Sequence, residues 1–246
     1  MIDLHLLGRI VALHTNRSHG RAIADAWKGQ VGRVSFGFTS HPNRLAMPNP
    51  LDNASEYLSQ TFVGLDLSNE TLSFKEFDGC VFKECRFDSV TFKNCKFIEC
   101  EFVSCNLSVV NMSYSRFMDV AFTQSKIIGV DWTKAAWPNL SLPAPIAFRQ
   151  SLLNDSSFYG LHLADLIIED CKVHDVDFRE GNFSQGDFSG SDFANSLFNG
   201  ANLSGVSFEN AENYYIDLNH TNIKQAKFSR LEAVCLLESL DIELLD

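Results

Sequence analysis

Residues 76–105, written in blocks of five, read EFDGC VFKEC RFDSV TFKNC KFIEC EFVSC. Phe is the second residue of all six blocks, and Cys is the fifth residue of five of them. A period of five matches neither the 3.6-residue turn of a helix nor the two-residue alternation of a strand. It predicts a solenoid whose chain turns a corner every five residues, with one large and one small side chain inward on each side.

The pattern extends far beyond this stretch. Stepping by five from Phe62 to Phe228 gives 33 positions, of which 32 are apolar, and these positions hold 18 of the 21 Phe. The phase slips by one residue across 138–147, which contains three prolines, and Asn213 is the single polar position. Two residues before each of these lattice positions lies a mostly small or β-branched side chain. We therefore expect a repeat domain over 62–228, preceded by an N-terminal cap at 47–61.

The two ends of the chain lie outside the repeat. Residues 1–46 are basic and non-repetitive, and we interpret them as added sequence or an upstream misreading before a natural start at Met47, a true cap being the alternative. Residues 229–246 predict a C-terminal α-helix that covers the last coil. The apolar residues expected to form this helix and a tail-to-tail dimer contact are Leu231, Val234, Leu237, Leu240, Ile242, Leu244 and Leu245.

Charge is distributed unevenly along the chain. Residues 1–46 have a net charge of +4, and residues 47–246 have a net charge of −15, which argues against direct nucleic-acid binding. Residues 60–140 carry ten acids and eight bases, whereas residues 151–223 carry twelve acids and two bases. A charged exterior also serves solubility, but aligned like charges destabilise neighbouring strands and so indicate a function. The acids expected to form a partner-binding surface are Asp155, Asp165, Asp175, Asp177, Glu180, Asp187, Asp192, Glu209, Glu212 and Asp217.

Other classes of site are not indicated. The sequence has no apolar run long enough to cross a membrane and no secretion signal, so a cytoplasmic protein with seven free cysteines is expected. Six cysteines occupy the small inward positions, which favours core packing over metal binding. No nucleophile, phosphate-loop or dinucleotide motif occurs. We therefore predict no catalytic residue, no metal and no cofactor.

The five-residue pattern resembles the pentapeptide-repeat family over residues 62–228. Beyond the generic repeat, the chain is most similar to the gyrase-protecting group, which includes the Qnr proteins and the microcin- and albicidin-immunity proteins, and among these to the albicidin-immunity members. The stretches that carry this finer resemblance are EFVSCNL at 101–107, GVDW at 129–132, AWP at 136–138, LNDSSFYGL at 153–161, NYYID at 213–217 and LLESLDIEL at 236–244.

The resemblance implies both a fold and a role. The fold is a right-handed quadrilateral parallel β-helix, an all-β solenoid with four pentapeptides per coil and a short C-terminal helix. The role is that of a homodimeric DNA mimic that binds DNA gyrase, with topoisomerase IV as a second candidate target, and protects it from a poison. Qnr proteins carry projecting loops, whereas this repeat slips once, which favours self-immunity against an albicidin-like poison over quinolone protection.

Charge density is compatible with this role. Two such rods end to end would measure roughly 80 Å, a length of duplex that carries about 47 phosphate charges. Two bodies of −15 carry 30, which agrees within a factor of two. Two alternatives remain at this stage: a scaffold of the same family with another protein partner, and a protein that sequesters the drug directly.

Overall fold

The computed structural model describes residue 51, residues 53–138, residues 145–240 and residue 242. All of them belong to one compact unit, Ala46–Asp246. The predicted extension at 1–46 therefore lies outside the described residues, as do the apolar residues Leu244 and Leu245.

The described residues form a parallel β-solenoid, as the five-residue period predicts. Phe82 lies in register between Phe62 and Phe102, so one coil takes 20 residues and four pentapeptides. The same 20-residue register continues in the C-terminal half, where Asp192 pairs with both Lys172 and Glu212. We number the four sides of a coil 1 to 4 in chain order.

The side numbers are fixed by the inward residues of one coil. Its sides 1 to 4 carry Ile168, Val173, Phe178 and Phe183, and side 1 of the next coil carries Phe188. All five side chains are buried. The outward residues of each side flank these positions, and the corner follows two residues after each of them.

Strands are short because a corner interrupts the extended chain every five residues. They form sheets in the orders β1-β4-β7-β9, β12-β11-β10-β8-β5-β2, β13-β14 and β3-β6. Isolated parallel bridges connect the coils elsewhere. The strands are β1 (Glu56–Leu58), β2 (Thr61–Val63), β3 (Thr71–Ser73), β4 (Glu76–Asp78), β5 (Val81–Lys83), β6 (Thr91–Lys93), β7 (Lys96–Ile98), β8 (Glu101–Val103), β9 (Arg116–Met118), β10 (Val120–Thr123), β11 (Ile146–Arg149), β12 (Ile167–Glu169), β13 (Ser207–Phe208) and β14 (Lys227–Phe228).

The corners have left-handed backbone conformation. Residues two positions after the inward large residue have positive φ, for example Asn94 at 52° and Asp155 at 58°. Asn, Asp and Gly tolerate this region best, and they occupy many of the corners. The corner position is therefore conformationally demanding, yet its side chain points away from the core.

Aromatic rings stack along the axis of the solenoid. Phe82 and Phe102 have ring centroids 4.7 Å apart, and Phe178 and Phe198 have centroids 5.2 Å apart. Of the 33 lattice positions, 27 are buried, and the others lie near the two ends or beside the proline-bearing stretch. The core thus consists of ladders of large side chains that join each coil to its neighbours.

The small inward residues form hydrogen bonds as well as packing contacts. Ser191 Oγ donates to the carbonyl of Ile168 (2.8 Å) and accepts from the backbone amide of Cys171 (2.9 Å). Buried thiols donate in the same way, as Cys100 does to the carbonyl of Phe77 (3.4 Å). Ser and Cys at these positions therefore satisfy buried backbone groups, a role beyond that of the small hydrophobe expected from the sequence.

The one-residue slip at 138–147 is an insertion of six residues into one coil. Phe148 is in register with Phe122, a separation of 26 residues instead of 20. Trp132, whose ring lies 5.9 Å from that of Phe158, shows the same offset on side 3. Residues 139–144 of this insertion lie outside the described part of the chain. A short 3-10 helix, Trp132–Lys134, precedes it.

Both ends of the repeat differ from the sequence expectation. The solenoid begins before Phe62, because Tyr57 is buried within the predicted cap and stacks on Phe77 at 5.1 Å. Near the other end Asn213 is exposed, while Tyr214 and Ile216 enter the core. The repeat therefore shifts there instead of simply missing one apolar residue.

The C-terminal helix is a 3-10 helix, Glu232–Leu240, and not the predicted α-helix. Leu236 is its buried residue, and Ser239 Oγ accepts a hydrogen bond from the backbone amide of Leu218 (3.3 Å). The predicted stripe faces outward instead: Leu231 is 85% exposed and Val234 is 50% exposed. The helix thus covers the last coil with a different face from the one that the apolar spacing indicated.

Candidate partner-binding surface

The ten predicted acids surround the C-terminal half of the solenoid and do not form one patch. Their positions follow from the register of the coils. Four lie at corners and six on sides 1, 2 and 3. The corner acids are Asp155 and Asp175 between sides 2 and 3, Glu180 between sides 3 and 4, and Asp165 between sides 4 and 1. The others are Asp187 and Glu209 on side 1, Asp192 and Glu212 on side 2, and Asp177 and Asp217 on side 3.

The corners themselves show a pattern that the sequence analysis missed. Asp165, Asp170, Asp175 and Glu180 occupy four successive corners with φ between 51° and 62°, and Asp155 lies one coil below Asp175. All five are exposed. Together they place a carboxylate at every corner of one complete coil. The sequence signal was available, because each lies two residues after an inward large residue, but Asp170 was not included.

Two glycines give the corner carboxylates room. A Cβ atom on Gly190 would lie 2.2 Å from Asp170 Oδ1, and one on Gly200 would lie 2.4 Å from Glu180 Oε1. Both glycines occupy the equivalent corner of the next coil, with φ of 64° and 76°. The carboxylates of Asp170 and Glu180 therefore extend parallel to the axis of the solenoid, over the backbone of the equivalent corner in the next coil.

Three acids on the sides, Asp177, Asp192 and Asp217, have pKa values lowered by hydrogen bonds. Arg179 donates two hydrogen bonds to Asp177 (2.9 and 2.8 Å), and these hold the pKa of Asp177 below its usual value. Hydrogen bonding to His220 Nδ1, 2.6 Å away, lowers the pKa of Asp217. These carboxylates therefore remain ionised at neutral pH.

The pKa of Asp192 is also lowered, although its partial burial acts in the opposite direction. Burial alone would raise its pKa, but hydrogen bonds with His174 and Asn213 outweigh burial and lower it. His174 Nε2 lies 2.5 Å from Asp192 Oδ2, and Asn213 Nδ2 donates to Oδ1 at 2.8 Å. Asp192 therefore also keeps its negative charge.

The two bases of section 151–223 neutralise little of this charge. Lys172 is exposed on side 2, in register between Leu152 and Asp192. Arg179 is paired with Asp177 and also lies over the ring of Tyr159, 5.8 Å from its centroid. The section thus keeps a net charge of −10.

Side 4 of this half is nearly free of charge. Its outward column contains His162, Asn182, Asn202 and Asn222 in register. Asn202 Nδ2 donates to Asn182 Oδ1 (2.9 Å), and Asn222 Nδ2 donates to Asn202 Oδ1 (2.8 Å). The acidic surface accordingly covers sides 1 to 3, and an amide ladder covers side 4.

The described residues show no arrangement suited to metal binding, and two of the buried thiols are unreactive. In residues 53–138 and 145–240, no group of three His, Cys, Asp or Glu side chains could hold a metal ion. Burial raises the pKa of the Cys100 thiol to about 11 and that of Cys171 to about 12, which makes these thiols unreactive. None of the described helices is long and apolar enough to cross a membrane.

Four of the residues predicted to form a dimer contact are exposed. Leu231, Val234, Leu240 and Ile242 have exposed fractions of 85%, 50%, 42% and 51%, and Leu237 is half-buried. An apolar cluster of this kind at the tip of a solenoid is typical of an association surface.

Comparison with known proteins identifies the fold. Two solved structures of trypsin-treated QnrB1 variants, described as a plasmid-mediated fluoroquinolone resistance protein, superpose with TM-scores of 0.58 and 0.54. They are 21% and 18% identical to this chain, cover 78% and 76% of it, and are themselves covered over 92% and 100%. A search of curated protein sequences gave no match.

A family model supplies the family. The model described as a pentapeptide repeat region matches residues 75–145 and 135–208, together more than half of the chain. These matches coincide with the coils and corners described above. The chain therefore belongs to the pentapeptide-repeat family.

Proposed function

We propose that this protein is a non-catalytic DNA mimic that binds DNA gyrase in the bacterial cytoplasm and protects it from a topoisomerase poison. The supporting observation is the charge density of section 151–223. Its 20-residue coils rise about 4.8 Å each, so the section is roughly 17 Å long. Duplex DNA of that length carries about ten phosphate charges, and the section has a net charge of −10.

The placement of the acids supports the same role. Phosphates surround a duplex, and the carboxylates here surround the solenoid at successive corners and on three sides. Asp177, Asp192 and Asp217 have lowered pKa values, so they stay ionised at neutral pH. A surface of this kind attracts the basic DNA-binding surface of a topoisomerase and repels DNA itself.

The proposal includes a homodimer formed through the C-terminal tip. The exposed residues Leu231, Val234, Leu240 and Ile242 support it, because two copies meeting there would bury an apolar cluster. Such a dimer would double the length of the acidic surface. An albicidin-like compound is our candidate poison, and topoisomerase IV is a second candidate target.

A supercoiling assay with purified gyrase tests the proposal. The test variant combines Asp155→Asn, Asp165→Asn and Asp175→Asn, since Asn tolerates the left-handed corner and removes only charge. The control combines Glu84→Gln, Glu99→Gln and Asp119→Asn, which removes three charges at exposed corners of the N-terminal half.

At low protein concentration, wild type and control are expected to restore supercoiling by gyrase in the presence of albicidin. At high protein concentration, both are expected to inhibit supercoiling. The test variant should need at least about tenfold more protein, a difference of about 1.4 kcal/mol. Inhibition without rescue indicates a different poison. Calorimetric binding of albicidin without gyrase would favour the sequestering role, and no effect on gyrase contradicts the proposal.

A further inference from the structure

The four-stranded sheet β1-β4-β7-β9 on side 4 has a filled inner face and an open outer face. Inside, the rings of Phe77, Phe97 and Phe117 stack with centroids 5.2 and 5.4 Å apart. Outside, Leu58 is 64% exposed and Met118 is 59% exposed. Large apolar side chains on the outer face of a regular sheet indicate a surface that associates with another molecule.

Two more aromatic side chains extend this outer face. Phe74 and Tyr114 occupy the corners that lead into β4 and β9, and they are 71% and 68% exposed. Positive φ is unfavourable for such bulky residues, so neither local conformation nor core packing accounts for aromatic side chains at these corners.

Four charged residues of the outer face form a column along the axis, and a fifth, Asp78, lies in the neighbouring column between Leu58 and Ile98. Glu56, Glu76, Lys96 and Arg116 form one column in register across the four strands. Two acids are thus followed by two bases, at a spacing of about 4.8 Å. The middle pair is in contact, since Lys96 Nζ lies 2.7 Å from Glu76 Oε2.

The charges of this column are complementary to those of the same column in a second copy that runs in the opposite direction. A two-fold axis that runs parallel to the strands, midway between β4 and β7, relates two copies packed face to face. It places Glu56 opposite Arg116 of the second copy and Glu76 opposite its Lys96. The same axis places Leu58 opposite Met118 and Asp78 opposite Ile98. A parallel arrangement would instead bring like charges together, so the column specifies the antiparallel one.

We propose that the outer face of sheet β1-β4-β7-β9 binds a second copy of this chain in antiparallel orientation. The column is only about 14 Å long, so the contact is small, and its association is weak and sensitive to salt. The inference uses none of the acids of section 151–223. It therefore stands or fails independently of gyrase binding.

Sedimentation equilibrium at low ionic strength tests the proposal with charge-reversed variants. The acidic variant combines Lys96→Glu with Arg116→Glu, and the basic variant combines Glu56→Lys with Glu76→Lys. The control combines Lys83→Glu with Lys126→Glu, which makes the same charge change at exposed positions on sides 1 and 2. Thermal melts monitored by circular dichroism confirm that each variant is folded.

A dimer through the C-terminal tip is unaffected by these substitutions, so the association step that responds to them is the one through side 4. For that step the wild type and the control should share one association constant, and each charge-reversed variant should lose at least about tenfold in it. A one-to-one mixture of the acidic and basic variants should recover the association. Met118→Ser, which changes no charge, should also weaken it. An unchanged constant in both variants, or a mixture that does not recover, would mean that another partner or another part of the chain covers the face, and either result overturns the proposal.

Discussion

At the scale of single residues, Ser and Cys at the small inward positions form hydrogen bonds with buried backbone groups. Ser191→Ala removes the donor to the Ile168 carbonyl and the acceptor for the Cys171 amide, and it leaves both buried groups without these bonds. We expect a loss of about 1–3 kcal/mol in the free energy of unfolding. Urea denaturation measures it, with Ser184→Ala, a half-buried outward serine, as the control. Equal midpoints for the two variants would contradict this role.

The residue scale also determines a pH dependence. Because Arg179 lowers the pKa of Asp177, the pair stabilises the fold above the unfolded carboxyl pKa, and this stabilisation is lost as pH falls through the folded pKa. Asp177→Asn should therefore lower the melting temperature at pH 7 and have a smaller effect near pH 3. Both side chains are partly exposed, so the effect is less than about 1 kcal/mol. A difference from wild type that does not change with pH would contradict the assignment.

At the scale of elements, the 3-10 helix Glu232–Leu240 stabilises the last coil through Leu236. Leu236→Ala should lower the free energy of unfolding by about 2–3 kcal/mol, because Leu236 is 8% exposed and packs against the end of the core. Leu231→Ala is the matched control, since its side chain is 85% exposed. Thermal unfolding compares the two variants. A larger loss for Leu231→Ala would mean that the solenoid is capped by a different face.

The elements also show how far sequence reasoning extends. The five-residue period predicts the coil because Phe82 and its equivalents can face inward only if the chain turns every five residues. The period cannot give the size of the insertion at 138–147, since one extra residue and six extra residues produce the same phase. Helical spacing of Leu231 and Val234 indicated a packed face, yet the geometry of the last coil selects Leu236 instead. Asp170 was missed although it lies two residues after Ile168, at the same offset as Asp175 after Val173.

At the scale of the whole molecule, the solenoid combines a nearly neutral N-terminal half with an acidic C-terminal half. Residues 60–140 carry ten acids and eight bases, whereas section 151–223 has a net charge of −10. Interaction of gyrase with the acidic half should therefore weaken as salt concentration rises, as protein–DNA association does. The neutral half is expected to contribute little to that salt dependence.

Displacement of DNA from gyrase tests the central claim most directly. Gyrase is bound to a fluorescently labelled duplex, and the anisotropy is followed as the protein is added, with the Asp155→Asn, Asp165→Asn, Asp175→Asn variant in parallel. The account predicts that wild type releases the duplex completely and that the variant needs at least about tenfold more protein. If the labelled duplex stays bound to gyrase at saturating concentrations of the protein, and the protein joins that complex, DNA mimicry is contradicted.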